Sequence, residues 1–520
     1  MKYSTDLYDL IQALSQAEKR YVKLFAQAFS SKGTNTQVAL FNAFAKQNTP
    51  NEEAIRKDLR ELIAPSNFHV AKNRLYNLIL RALYLFHAGQ SEGERAHQLF
   101  FEAQLLRKRG LYKQSGDLLN RALEQAKSGE ILAEIPQILS EQAKLIMQQR
   151  DLGEIKNYLV DGLADKQAAL KRYEYELTFQ YLEMQLFALV QRAPTARTIE
   201  QLEEARALRQ HPMLQNEAEA RAVSKRALWF YRFLNGFIYR YEGNHAKAVE
   251  YWAGFVTDME NDPKAIAVRL TDYIGDVNNL MFLQLEATQY TAAWATCDKM
   301  EQLFQHEDVA QDLYLTMKIQ ERIVEFRLAW YLRTHRYAEG YQYWKANIEA
   351  DWLADWSARV GKLRGLAIEF SAACLCLSVG QNEAATTCLS RCEENKSLRQ
   401  QDYLYSAVLL LNLITRFELG HSQLLESLLM NTYRNLYKRK LLYGAERVVF
   451  KYLRLYLRTP TNKDWTNSFK DMLQELQILE KEQFEHILLD NFSLPLWIES
   501  AIAKSNMATI SQNKGLTSLS

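Results

Sequence analysis

Proline and glycine are scarce in this chain, 8 and 19 of 520 residues. Both interrupt helices, proline by removing a donor and clashing, glycine through backbone entropy. Their scarcity, with almost no β-branched alternation, points to an all-helical protein. Cysteine is scarcer still: Cys297, Cys374, Cys376, Cys388 and Cys392. An odd, clustered set within apolar helices reads as reduced, buried thiols, not a disulfide framework. Cys374 and Cys376 point about 200° apart on a helix, so all four clustered thiols cannot meet one tetrahedral zinc. No apolar run approaches a membrane span; the longest, Ala407 to Ile414, is eight residues and includes Asn412. The N-terminal MKYSTDLYDLIQALSQAEKR lacks the apolar core and cleavage site of a signal peptide. We therefore expect a cytoplasmic protein without membrane contact. Charge of one sign is missing too, with 64 Lys+Arg against 62 Asp+Glu, so net charge alone demands no polyanionic partner.

Signatures of chemistry are also absent. There is no G-x-x-x-x-G-K-[ST] or G-x-G-x-x-G for phosphates, no H-E-x-x-H for zinc and no G-x-S-x-G elbow. The nine histidines are scattered, and His245, His335 and His421 fall in turns. The residues form no catalytic constellation and suggest no cofactor or metal. An enzyme would need a constellation assembled across distant segments.

What the chain has in quantity is a repeat. Nine tight polar turns separate pairs of apolar helices, at Gly110, Arg150, Ala193, Gly243, Thr288, His335, Gly380, Gly420 and Pro460. Nine residues beyond them come Leu119, Leu159, Leu202, Trp252, Cys297, Trp344, Leu389, Leu429 and Phe469, all apolar. Seven residues before them come Ala103, Ala143, Leu186, Gly236, Met281, Leu328, Ala373, Leu413 and Leu453, never polar. Small residues recur five places after the turn, at Ser115, Thr198, Ala248, Ala293, Gly340 and Ala385. A lone hairpin cannot cover its own apolar face, so this pattern predicts a stack of about nine hairpins over residues 95–480. The uneven intervals around Ala193, with Pro194 and Pro212, suggest a break near 193–216.

The first 92 residues read as a separate helical domain or cap. Ser15 and Glu18 form a capping box, opening a helix to about Phe29. Further helices are predicted over 37–46, 52–62 and 69–86, the last with an apolar surface broad enough to be buried on more than one side. Gly89 and Gly93 mark the boundary. At the other end, residues 481–504 are expected to close the array, with a terminal helix from about Asn491. The polar residues 505–520 read as a disordered tail.

Basic residues concentrate from Arg434 to Arg458, eight against the single acid Glu446, a net of +7. Arg447, Lys451, Arg454 and Arg458 share one stripe of a predicted helix over 445–458. The next segment, Lys463 to Asp490, holds seven acids against three lysines and could neutralise it. A second basic and aromatic stretch, Arg221 to Tyr241, carries Arg221, Lys225 and Arg232, with Trp229, Phe230, Phe233 and Phe237 as core candidates.

Small, turn, Tyr, small and large aromatic residues at these offsets resemble the tetratricopeptide repeat, most closely in FIYRYEGNHAKAVEYW (Phe237–Trp252) and LLRKRGLYKQSGDLL (Leu105–Leu119). The resemblance covers about three quarters of the chain, in degenerate copies with a longer period. It implies a right-handed α-solenoid whose first helices line a concave groove. By that register Arg447, Arg454, Arg458, Arg240, Tyr241 and Asn278 face the groove as partner-binding residues. The family's carboxylate clamp is not reproduced, its equivalents including Phe233, Phe237, Phe282, Glu325 and Ala329. The segments ALSQAEKRYVKLFA, AKNRLYNLILRAL and KRGLYKQSGDLL further resemble an uncharacterised group of bacterial helical-repeat proteins, which implies the same layout and no activity.

The leading expectation is a non-enzymatic scaffold that binds a protein or peptide along this groove. The alternative is a nucleic-acid-associated regulator. It would use the basic helix 445–458, or a helix-turn-helix in the N-terminal region with Arg56, Lys57, Arg60, Lys72, Arg74 and Arg81 on phosphates.

Overall fold

Helix after short helix follows along the chain, and no strand occurs among the described residues. The computed structural model describes residues 5–28, 36–47, 49–87, 92–129, 131–150, 152–191, 195–263, 266, 269–348, 362–458, 465–479, 482, 484–485 and 492–517. They group into two compact units, one of residues 1–177 with 308–313, the other of 178–307 with 314–520. The division falls inside the helix Leu163–Val190, upstream of the break expected near 193–216. Ala193 and Pro460, two of the nine predicted turns, lie outside the described residues.

The seven remaining turn residues all adopt positive φ: Arg150 at 58°, Thr288 at 59°, His335 at 55°, and the glycines 110, 243, 380 and 420 between 69° and 80°. The turn is a Schellman motif. At Gly243, its own N–H bonds to the Arg240 carbonyl at 2.9 Å and the next N–H, of Asn244, bonds to Tyr239 at 2.8 Å. The same pair of bonds recurs at Gly110, Thr288, His335, Gly380 and Gly420. Left-handed geometry satisfies carbonyls that the helix end would otherwise leave open. The following helix then starts two residues on, as at Tyr112, His245, Tyr290, Tyr337, Asn382 and Ser422. Small residues after the turn are buried because the two helices approach there; Ser115 donates to the Ala103 carbonyl at 2.8 Å. A Cβ on Gly340 would lie 2.7 Å from both Tyr331 and Leu375.

The pattern fails at Arg150. Residues 152–190 run through without a second turn, as Leu152–Asn157, a π-helical stretch Tyr158–Gly162, and Leu163–Val190. Leu159, expected to pack, is 70% exposed. The wider π turn rotates the following residues about the axis, so a straight 3.6-residue count no longer predicts the buried face.

In the first unit, the capping box forms as read: Ser15 N–H donates to Glu18 Oε2 at 2.7 Å and Glu18 N–H to Ser15 Oγ at 3.2 Å. It splits the N-terminal helix into Asp6–Ala13 and Gln16–Ala28. With Thr36–Ala45, Glu52–Asp58 and Phe68–His87, these helices enclose a core from Leu7 to Ala82. A separate core spans Ala96 to Ala169. The expectation that Phe68–His87 is buried on more than one side does not hold. Phe68, Ala71, Leu75, Ile79 and Ala82 are buried, whereas Val70, Leu80, Tyr84 and Leu85 are exposed.

In the second unit one continuous core runs from Val324 to Ala508. The four clustered cysteines sit inside it, free and buried. Burial pushes the Cys374 thiol well above its usual range, as expected of inert packing residues. The residues read as a disordered tail are helical instead, over Met507–Asn513, with Asn506 Oδ1 accepting from Thr509 N–H as N-cap. Met507 and Ser511 are buried, because this segment folds back over three hairpin turns in reverse order. Trp497 Nε1 donates to Glu418 at 2.7 Å beside the Gly420 turn, Asn506 lies beside Gly380, and Ser511 Oγ donates to the His335 carbonyl at 3.0 Å.

Candidate functional site

Two places in the second unit concentrate charge: the basic helix Gly444–Arg458, and a cavity over the first helices of the Gly243, Thr288 and His335 hairpins.

Helix Gly444–Arg458 is amphipathic as the spacing predicts, with Ala445, Val448, Val449, Tyr452 and Leu453 buried. Arg447 and Arg458 are exposed and make no ion pair among the described residues. Arg454 is half-buried over the Tyr433 ring, 5.4 Å from its centroid. Lys451 is neutralised by Glu475 at 2.5 Å, so the acidic segment after the helix quenches one member of the stripe.

Glu446 faces inward and is fully buried. Arg197 donates to it from Nη1 at 3.3 Å, and Ser406 Oγ does so at 3.5 Å. The Arg197 guanidinium lies 3.6 Å from the Tyr443 ring centroid, with Glu485 3.9 Å away. Glu485 caps the helix, accepting from the N–H groups of Gly444 and Ala445 at 2.8 and 3.0 Å. Burial raises the Glu446 carboxyl above its ordinary range against the pull of Arg197. Gln191 and Gln401 meet nearby at 2.6 Å, so segments more than 200 residues apart in the chain are joined within this unit.

Three expected partner-binding residues are committed elsewhere. Arg240 donates to Glu286 from Nε and Nη2 at 2.7 and 2.6 Å. Burial alone would raise the Glu286 carboxyl; the Arg240 guanidinium overturns this and holds it low. Tyr241 is fully buried, with its carbonyl accepting from Ala196 N–H at 2.8 Å. Asn278 is buried as well. Tyr241 and Asn278 are buried and Arg240 is held by Glu286, so none of the three offers a free side chain to a partner. In the stretch Arg221 to Tyr241, Arg221 pairs with Glu217, Lys225 with Asp262, and Arg232 with Asp258 and Glu217. Its aromatics pack as core, Phe233 and Phe237 lying 5.0 and 4.6 Å from the fully buried Trp252.

The cavity holds about 470 Å³, within the usual range of small-ligand sites. Trp229, Phe230 and Phe233 come from Lys225–Tyr241, Asp272, Asp276 and Asn279 from Leu270–Glu286, and Lys318 from Leu313–Arg333. Glu183 closes another side. Arg269 donates to Asp272 at 3.1 Å and lies over the Trp229 ring. Lys318 donates to the Thr271 carbonyl at 3.2 Å. Asp276 is 7% exposed, and its carboxylate makes no hydrogen bond or ion pair among the described residues. Burial, then Asp272 and Glu183, push it up to about 8 against the opposing pull of Arg269 and Lys318. Sequence reasoning misses Asp276, whose TDYIGDVNN surroundings look like an ordinary polar helix face. Its one local signal is a second acid, Asp272, one turn before it on the same helix face.

In the first unit, Arg56 and Lys72 of the proposed phosphate-binding set both pair with Glu52, at 3.0 and 2.5 Å. Lys57, Arg60, Arg74 and Arg81 are exposed. Among the described residues no helix is long and apolar enough to cross a membrane, and no group of three or more His, Cys, Asp or Glu is placed to hold a metal ion. The sequence matches no protein-family model and no curated protein.

Proposed function

We propose that the chain is a non-enzymatic helical-repeat scaffold, a right-handed tetratricopeptide-like solenoid that binds a protein or peptide partner along its groove. One observation carries this reading: a single cavity is lined by the first helices of three successive hairpins. A groove built from equivalent faces of stacked repeats is what such arrays offer an extended chain. The recurring Schellman turns support the repeat, since one local geometry at each hairpin gives successive hairpins similar rotations. The Gln191–Gln401 and Arg197–Glu446 contacts suit a stack that turns back on itself. Of the residues the repeat register assigned to the groove, Arg447 and Arg458 keep an accessible charge.

Those two arginines also support the second reading, a nucleic-acid-associated regulator, because exposed arginines with no ion pair among the described residues suit phosphates. An affinity pull-down from host lysate separates the two, run at low and high salt with nuclease. Thr271→Trp/Asn279→Trp obstructs the cavity without changing charge; Arg447→Glu/Arg458→Glu reverses the basic face. A defined protein that survives nuclease and salt and is lost with the obstructed cavity supports the scaffold. Nucleic acid alone, salt-sensitive and lost only with the reversed arginines, replaces it with the second reading.

A further inference from the structure

The cavity has a chemical bias that its dimensions do not reveal. Three acids line it, Glu183, Asp272 and Asp276, against two bases, Arg269 and Lys318. The bases are already engaged: Arg269 with Asp272 and the Trp229 face, Lys318 with the Thr271 carbonyl. Glu183 and Asp276 are left with no hydrogen bond or ion pair among the described residues. A buried carboxylate without a partner is unfavourable by several kcal/mol, roughly, unless it takes up a proton or meets a cation. Asp276 and Glu183 both hold their protons more tightly than an ordinary carboxyl, first because of burial, and this is the signature of that unmet need. The surrounding wall is aromatic, with Trp229 and Phe255 buried and Phe230 and Phe233 half-buried. Ring faces attract cations and accept alkyl chains, and they offer an anion nothing. The donor set does not suit a metal ion, for the described acids form no group able to ligate one.

We infer that this cavity is a binding site for an aliphatic organic cation, an ammonium or guanidinium group, held by Asp276 and Glu183 with its alkyl chain against the Phe230 and Phe233 rings. The inference builds on the groove reading and supplies its chemistry: the partner would enter with a lysine or arginine side chain. A free polyamine carries the same chemistry, and the experiment distinguishes the two sources.

The test is isothermal titration calorimetry on the full chain with four probes: spermidine, N-acetyl-lysine amide, N-acetyl-arginine amide, and N-acetyl-norleucine amide as the uncharged isostere. The site is supported if at least one cation binds tenfold or more tightly than the isostere, and if Asp276→Asn weakens that cation at least tenfold and Glu183→Gln about threefold. Preference for the amino-acid amides assigns a partner side chain; preference for spermidine assigns a free polyamine. Equal binding of cation and isostere by the wild-type protein overturns the inference, and this comparison needs no variant to fold. Unchanged cation affinity in a folded Asp276→Asn protein, checked by circular dichroism, overturns it as well. Failure here leaves the scaffold intact if the obstructed cavity still loses a protein partner. Cation binding with no such partner sinks the scaffold and keeps the site.

Discussion

Glu446 and Asp276 are both buried carboxylates on first helices of the same unit, and their surroundings differ in one respect. Glu446 has an arginine and a hydroxyl within reach; Asp276 has neither among the described residues, and opens onto a cavity. Burial raises both carboxyls, so desolvation is common to the two and only compensation separates them. The contrast teaches how to tell a structural charge from an available one. Arg197 gives Glu446 a partner from within the chain, whereas the Asp276 carboxylate has no hydrogen bond or ion pair among the described residues.

The sharpest test of the contrast is Arg197→Met. Removing the partner strands the buried Glu446, and we expect a loss of about 3–5 kcal/mol in denaturant unfolding. Adding Glu446→Leu should restore much of it. If the single change is neutral, Glu446 is no better compensated than Asp276 and the comparison collapses.

Arg240→Met probes an intermediate case, a half-buried bidentate pair that leaves Glu286 without its main partner. About 2–3 kcal/mol should be lost in the same measurement. A smaller loss than for Arg197 would show that partial solvent access rescues the stranded acid.

Asp276→Asn should act in the opposite direction and stabilise the protein. The native carboxyl holds its proton up to about 8, while the unfolded one releases it near the ordinary value of 3.8. The native state therefore binds the extra proton between these values, and wild-type stability falls as pH rises through that window. The facing charges, Glu183 and Lys318 from other helices and Asp272 and Arg269 from its own segment, are present in both proteins. Thermal melts should show the variant matched to wild type near pH 4 and increasingly ahead as pH rises to 8, by at most about 1.4 kcal/mol per pH unit. An advantage that does not grow with pH would mean that Asp276 is compensated after all.

Lys451→Ala sets the baseline. Its pair with Glu475 is largely exposed, the side chains 60% and 37% accessible. Loss of about 0.5 kcal/mol or less is expected, shrinking as salt is added.

Much of the local architecture is legible in the sequence. The turns at Gly110, Gly243, Gly380 and Gly420 announce themselves through glycine, and spacing identifies Thr288 and His335 where glycine is absent. The Ser15–Glu18 box is equally local, a side chain and a backbone three residues apart. The candidate site is less legible. Arg240 looks available because its partner Glu286 lies 46 residues on, and Tyr241 looks accessible because the register cannot say which neighbour covers it. The same limit hides the role of Met507 and Ser511, polar-looking sequence that packs only because the chain returns to the His335 turn.

Helix content, capping and the positions of the hairpin turns were thus determined by the sequence on its own, since each depends on hydrogen bonds and apolar spacing within about one turn of helix. The π stretch at Tyr158–Gly162, the folded C-terminus, the quenching of Lys451 and Arg240, and the contrast between Glu446 and Asp276 were decided by tertiary structure. Whether a charge is satisfied depends on groups that the fold brings within about 4 Å from anywhere in the chain, and no local spacing rule can supply that.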